Sequence, residues 1–171
     1  MKQLLLLRHA KSSRDDPSLA DFDRPLAPRG GKDAPRMGRE IARRRWLPDL
    51  AIVSPAARTR ETWKRVAAEL GARPTVTFPE ELYEATAMAL LGEVRRAPAR
   101  MGTVILVGHN PGMEELAVSL AGEGSVPDAL KRMREKFPTA ALARFEVDGE
   151  WASLDAGTAR LTHFLKPADL E

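Results

Sequence analysis

The chain has 171 residues, 43% hydrophobic and 30% charged, which suits one α/β domain over residues 1–171 and leaves too little for two. It contains no cysteine, which excludes disulfides, thiolate metal sites and cysteine nucleophiles. Lys and Arg number 27 against 24 Asp and Glu, and the net charge of +3 fits phosphate-bearing substrates, acidic protein surfaces or nucleic acid without choosing among them.

No stretch reads as a secretory leader or a membrane span, so the expected location is the cytoplasm and no membrane partner is expected. The 13 prolines and 12 glycines are spread along the chain, which leaves no linker, repeat or low-complexity segment.

The first element is Leu4-Leu5-Leu6-Leu7, a run bounded by charge that reads as a short strand buried on both faces. Arg8 and His9 follow where such a strand emerges at the carboxyl edge of a sheet, the edge at which open α/β sheets bind ligands. A guanidinium beside an imidazole suits a phosphoryl group: the arginine clamps its oxygens and the histidine can attack phosphorus. Residues 12–30 read as a long polar loop, in which Asp21, Asp23 and Arg24 either close over a site or face solvent. Arg29-Gly30-Gly31 reads as the turn that opens a helix over 32–46. Its inner face carries Ala34, Met37, Ile41 and Ala42, and its arginines between 36 and 45 are read as a solvated face.

A second strand over 50–53 ends at Ser54-Pro55, a serine N-cap followed by a proline suited to the first helical position. That helix is expected to run to about Leu70, with Arg58 just after its first turn and Gly71 closing it. A third strand over 74–78 follows, then the acidic segment Glu80-Glu81-Leu82-Tyr83-Glu84. A helix over 86–97 then offers Met88, Leu90, Leu91 and Val94 for burial. The clearest element is the apolar strand from Thr103 to Val107, with Gly108 and His109 after it and a helix start that takes Asn110 as cap and Pro111 as first residue. The first-turn amides of that helix are expected to form an anion site beside His109. The basic stretch 131–136 reads as a further helix, and 141–147, Asp148-Gly149 and 151–154 as a hairpin. A last apolar segment surrounds His163, which reads as structural.

Alternating strands and helices predict a three-layer α/β/α sandwich, with a mostly parallel central sheet and an antiparallel edge from the late hairpin. If the three apolar strands are parallel neighbours, Arg8-His9, Ser54 leading to Arg58, and Gly108-His109 converge on one rim. Two arginines and two histidines there form a pocket for a dianionic phosphoryl group. The three histidines lack HExxH spacing, which argues against zinc.

Four segments carry a family resemblance: Arg8-His9-Ala10-Lys11-Ser12, Asp23-Arg24-Pro25-Leu26, Ser54-Pro55-Ala56-Ala57-Arg58-Thr59 and Val107-Gly108-His109-Asn110-Pro111-Gly112. In order and spacing they resemble the histidine phosphatase superfamily, and within it the small SixA-like branch of phosphohistidine phosphatases. Leu82-Tyr83-Glu84-Ala85 and Phe137-Pro138-Thr139 also fit, so the resemblance covers nearly the whole chain. It implies a phosphoglycerate mutase-like fold, His9 as nucleophile, and Arg8, Arg58 and His109 as the groups that hold the phosphoryl oxygens. Asn110 would support His109 or line the pocket. Where the superfamily usually has Arg-His-Gly, this chain has Ala10, which this branch tolerates. Larger relatives carry an acidic residue after the third strand, which points here to Glu81, with Glu84 as its rival. A third possibility is no acid at all, because imidazole, with a pKa of about 6.5, leaves phosphorus far more readily than an alkoxide.

The expected function is that of a metal-independent, cofactor-free phosphatase working through a phosphohistidine on His9. Its substrate would be phosphohistidine in a protein or a small phosphoramidate, and residues 131–136 could meet an acidic partner surface. One alternative is a phosphatase of a small phosphoester metabolite. From another class comes a noncatalytic phosphate- or nucleic-acid-binding module, disfavoured because three Trp, one Tyr and five Phe are not clustered into a stacking platform.

Overall fold

The leucine run lies at the heart of the protein. In the computed structural model, which describes residues 1–170, it forms β1 (Lys2–Arg8), and all four leucines are fully buried. Leu5 and Leu7 point to one face of the sheet, against Met37, Ile41, Trp63 and Val66. Leu4 and Leu6 point to the other, against Leu90, Val94, Leu116 and Phe145. Alternation along a strand covered on both sides gives this division, and each buried leucine contributes about 2 kcal/mol of apolar burial.

The remaining elements follow as α1 (Pro28–Arg43), β2 (Leu50–Val53), α2 (Ala57–Ala67), β3 (Thr75–Thr77), α3 (Ala87–Arg95), β4 (Thr103–Gly108), α4 (Gly112–Leu120), α5 (Pro127–Glu135), β5 (Leu142–Val147) and β6 (Ala159–Leu165). The six strands form one sheet in the order β3-β2-β4-β1-β5-β6. β1, β2, β3 and β4 are parallel, whereas β5 runs antiparallel to both β1 and β6. Helices α1 and α2 cover one face and α3, α4 and α5 the other, which is the expected three-layer sandwich with an antiparallel edge. After β1 the chain leaves toward α1, and after the adjacent β4 it leaves toward α4 on the opposite face. Neighbouring strands whose connections part in this way open a crevice at their carboxyl ends.

Several local expectations are corrected. Helix α1 starts at Pro28, four residues before the expected start, because Pro28 takes an early helical position and Gly30-Gly31 sit inside the first turn. Gly30 is required there by close packing, since a Cβ would run into the Lys11 carbonyl. Helix α2 starts at Ala57 rather than at Ser54-Pro55, and no side chain caps it. Met88 is 72% exposed, on the outer side of α3 and off the face that Leu90, Leu91 and Val94 share. The partner of β5 is β6, not residues 151–154. Trp151 and Leu154 are buried three residues apart on a 3-10 turn, and Trp151 Nε1 donates to the Met101 carbonyl at 2.7 Å. Among the described residues, no helix is long and apolar enough to cross a membrane.

Two adjacent glycines provide a check on the seam between α1 and the loop after β1. Gly30→Ala forces a backbone clash and should destabilise the fold by about 2 kcal/mol in urea unfolding. Gly31→Ala meets nothing closer than the Arg65 guanidinium at 3.7 Å, and should be neutral or stabilising by up to about 1 kcal/mol.

Candidate active site

Backbone register assembles the site. Arg8 ends β1 in register with Gly108 of β4, so His9 and His109 leave adjacent strands side by side. Val53 of β2 is in register with Val107, which brings Ser54 to the same rim, and Arg58 follows as the second residue of α2. The rim encloses a cavity of about 550 Å³, lined by Arg8, His9, Arg58, His109 and Asn110 among others. The polar side chains are deeply placed: His9 is 7% exposed, and His109 and Arg58 are 6% exposed. The two imidazole centroids are 5.4 Å apart, with their planes at 55°.

His9 Nδ1 lies 2.7 Å from the Ala10 carbonyl. A carbonyl can only accept, so Nδ1 carries the proton. Burial, with His109 and the arginines as lesser causes, lowers the His9 pKa to about 3. The ring is therefore neutral at ordinary pH, and Nε2 keeps its lone pair. Ala10 is fixed in turn by donating its N–H to Thr62 Oγ1 at 3.0 Å. His109 is also held neutral, its pKa lowered to about 4 first by burial and then by Arg58. Its Nε2 is 2.7 Å from Ser54 Oγ, so the serine expected to cap a helix instead fixes an imidazole.

Each arginine is anchored at one end. Arg8 Nη1 donates to the Phe137 carbonyl at 3.1 Å, and Asn110 Nδ2 donates to the same oxygen at 3.0 Å. Arg58 Nη1 donates to the Asp21 carbonyl at 2.8 Å, and its Nη2 to Asp21 Oδ2 at 3.1 Å. Among the described residues, the buried side-chain nitrogens left without a partner are Arg8 Nε, Arg58 Nε and His109 Nδ1. All three belong to residues that line this cavity. Buried donors are normally satisfied, so the two arginine Nε–H groups, joined by His109 Nδ1 in the tautomer whose Nε2 accepts from Ser54, equip the cavity for an oxyanion.

Two expectations are corrected here. Glu81 is exposed on the 3-10 turn Glu80–Leu82, which buries Leu82 and turns its acidic neighbour to solvent, so Glu81 does not line the cavity. Glu84 does line it. Three of the first four amides of α4 are also already engaged, since those of Met113 and Glu115 donate to the His109 and Pro111 carbonyls and that of Glu114 to Asn110 Oδ1, which leaves Gly112 as the one beside the cavity. His163 lies outside the cavity and packs on Trp46 at a ring distance of 4.9 Å. Beyond the expected residues the site includes the Phe137 carbonyl, the Ser54 hydroxyl and Tyr83. The Tyr83 ring is edge-on to His109 at 5.7 Å, and its hydroxyl donates to Asp21 at 2.5 Å.

The sequence model of the histidine phosphatase superfamily (branch 1) matches residues 4–141. An uncharacterised protein of Mycobacterium tuberculosis is 36% identical over 162 residues, which cover 94% of this chain and 99% of that protein. Among solved structures, a candidate phosphohistidine phosphatase SixA from Agrobacterium tumefaciens is 32% identical with a TM-score of 0.82, covering 97% of this chain and 98% of the other. Another from Nakamurella multipartitia is 31% identical with a TM-score of 0.82, covering 97% and 96%.

The two depressed histidines make stability depend on pH. Unfolded, each titrates at about 6.5; folded, at about 3 for His9 and about 4 for His109. The unfolded chain then binds more protons below about pH 6.5, so stability is fully present above that pH and falls as pH drops toward the folded values. The expected slope is roughly 1.4 kcal/mol per pH unit for each histidine once fully expressed. Urea unfolding between about pH 7 and about pH 4 measures it, and His9→Gln should remove one histidine's share.

Proposed function

The chain belongs to the histidine phosphatase superfamily, with the SixA-like fold and branch, and on that premise we propose that it hydrolyses phosphoramidate bonds, of phosphohistidine in a protein or of a small phosphoramidate. The observation that carries this reading is the His9 imidazole, protonated at Nδ1 by its bond to Ala10 and left with a lone pair at Nε2 in an arginine-lined cavity.

In this mechanism His9 Nε2 attacks phosphorus while the bond from phosphorus to the leaving nitrogen breaks. The phosphoryl group is carried on Nε2, and water then attacks phosphorus, breaks the bond to Nε2 and releases orthophosphate. The free N–H groups of Arg8 and Arg58 hold the nonbridging oxygens as charge shifts through the transition state. An anion beside His109 Nδ1 selects the tautomer in which Nδ1 donates to it and Ser54 donates to Nε2. Asn110 keeps this wall in place by bonding the Phe137 carbonyl and the Glu114 amide. A substrate imidazole that carries a proton on its far nitrogen leaves phosphorus as the neutral ring, a leaving group of pKa about 6.5, and needs no further acid. The mechanism therefore dispenses with Glu81, and Glu84, which lines the cavity with Asp21 and Glu115, is proposed as the carboxyl that serves leaving groups in need of a proton. Charge neutralisation comes from the two guanidinia, so the reaction is proposed to be metal-independent.

Hydrolysis of phosphoramidate should persist in EDTA and exceed that of a panel of phosphoesters, and His9→Ala should abolish it. Acid-labile phosphate should be trapped on the wild type by rapid quenching and be absent from the variant. Arg58→Ala should lower kcat/KM by about 100-fold or more. Activity confined to one phosphoester would instead make this a metabolic phosphatase, and a folded protein inert on every substrate would make the cavity a binding site only.

A further inference from the structure

Asp21 sits on a 3-10 turn (Asp21–Asp23) in the long loop after β1, and three site residues converge on it. Arg58 spends one N–H of each terminal nitrogen on it, one to the carbonyl and one to the carboxylate. Tyr83 donates its hydroxyl to Oδ2, and Arg24 reaches Oδ1 with Nε and Nη2, both at 3.1 Å. Arg24 also donates to Ser12 Oγ and the Ser13 carbonyl, which ties the turn back to the segment that follows His9. Phe22 packs edge-on against Tyr83 at 5.0 Å and closes the outer side.

A guanidinium has five N–H groups, so these two bonds leave Arg58 with three, including the buried and unpartnered Nε. Its side chain is 7% exposed, and losing its partner would leave a long flexible side chain to find its orientation anew at each binding event. The Asp21 carboxylate is held by Tyr83 and Arg24 as well as by Arg58. Binding of an anion at the free edge of Arg58 therefore needs no rearrangement of that carboxylate.

We propose that Asp21 is the positioning residue of this site: its carbonyl and carboxylate hold Arg58 so that the remaining N–H groups meet a phosphoryl oxygen, and it sets oxyanion affinity without touching the substrate. The inference rests on the phosphatase reading of the cavity. Tyr83 first, and Arg58 after it, lower the Asp21 pKa to about 2, so the anchor stays charged across the pH range in which the protein is assayed.

The test uses the full chain with two readouts: calorimetric binding of tungstate, a tetrahedral dianion of phosphate-like shape, and turnover of phosphoramidate. Asp21→Ala should weaken tungstate binding about tenfold and lower kcat along with it, whereas Asp21→Asn, which keeps an oxygen acceptor for Arg58, should recover most of the loss. In an Arg58→Ala background, Asp21→Ala should change tungstate affinity by less than about twofold, because the residue acts through Arg58. Tighter tungstate binding by Asp21→Ala would overturn the proposal and make the carboxylate a competitor of the substrate. An undiminished effect in the Arg58→Ala background would overturn it as well, as would a wild type that binds no tungstate. If Asp21→Ala does not fold, Asp21→Ser, which removes the carboxylate and keeps a small polar side chain, takes its place with and without Arg58→Ala in the same cycle. Wild type that binds tungstate but turns over neither phosphoramidate nor phosphoester would sink the phosphatase reading alone, and the binding cycle would still decide the role of Asp21.

Discussion

The parallel pairing of β1 with β4, in the register that sets Arg8 beside Gly108, is the constraint from which the site follows. It places two imidazoles on neighbouring strands at 5.4 Å, a distance that no local sequence preference could set. The pairing itself is enforced by burial. The four leucines of β1 fill four fully buried positions, and a slip by one residue would draw Gln3 or Arg8 into one of them and displace His9 from His109. The same residues that supply the core therefore fix the chemistry at its edge.

Electrostatics at that edge are simple in outline. Burial holds both histidines neutral, and the adjacent guanidinia act in the same direction, so the positive charge of the cavity comes from its arginines and Lys11 rather than from imidazolium. This division suits a dianionic group, since the nucleophilic lone pair is retained while two fixed cations face the oxygens. Asp21 offsets part of the charge, and its side chain remains 45% exposed. The balance leaves a net attraction for phosphate without two uncompensated cations confined together in a dry pocket.

Much of this was legible in the chain. Leu4 to Leu7 and Thr103 to Val107 are apolar runs with abrupt polar ends, and such strands announce both the sheet and the rim where Arg8, His9 and His109 gather. Arg58 was legible from its spacing after β2. Ser54 was misread because a serine before proline satisfies the local rule for starting a helix, whereas its hydroxyl is claimed by His109 from a strand 55 residues away. The start of α1 was misread for the same kind of reason, since Gly30 answers to the backbone of Lys11 rather than to a turn. Met88 shows a further limit: near a helix end, periodicity does not say which of two neighbours faces in. The convergence of Asp21, Arg24, Tyr83 and Arg58 could not be read at all, because its partners lie up to 62 residues apart and meet only after the sheet has formed.

Both arginines of the cavity are steered by main-chain oxygens, Arg8 by the Phe137 carbonyl and Arg58 in part by the Asp21 carbonyl. Side-chain replacement cannot delete a peptide oxygen. A systematic alanine scan would therefore undercount the groups that shape this pocket, and a substitution at position 137, whose ring is buried against Phe164, would report core packing rather than the carbonyl that orients Arg8. At Asp21, exchanging the amide of the following bond to Phe22 for an ester, which weakens the carbonyl as an acceptor, reaches what conventional mutagenesis cannot. Here the information that aims the cations is stored in the path of the backbone, and the genetic code writes it only indirectly, through every residue that holds that path in place.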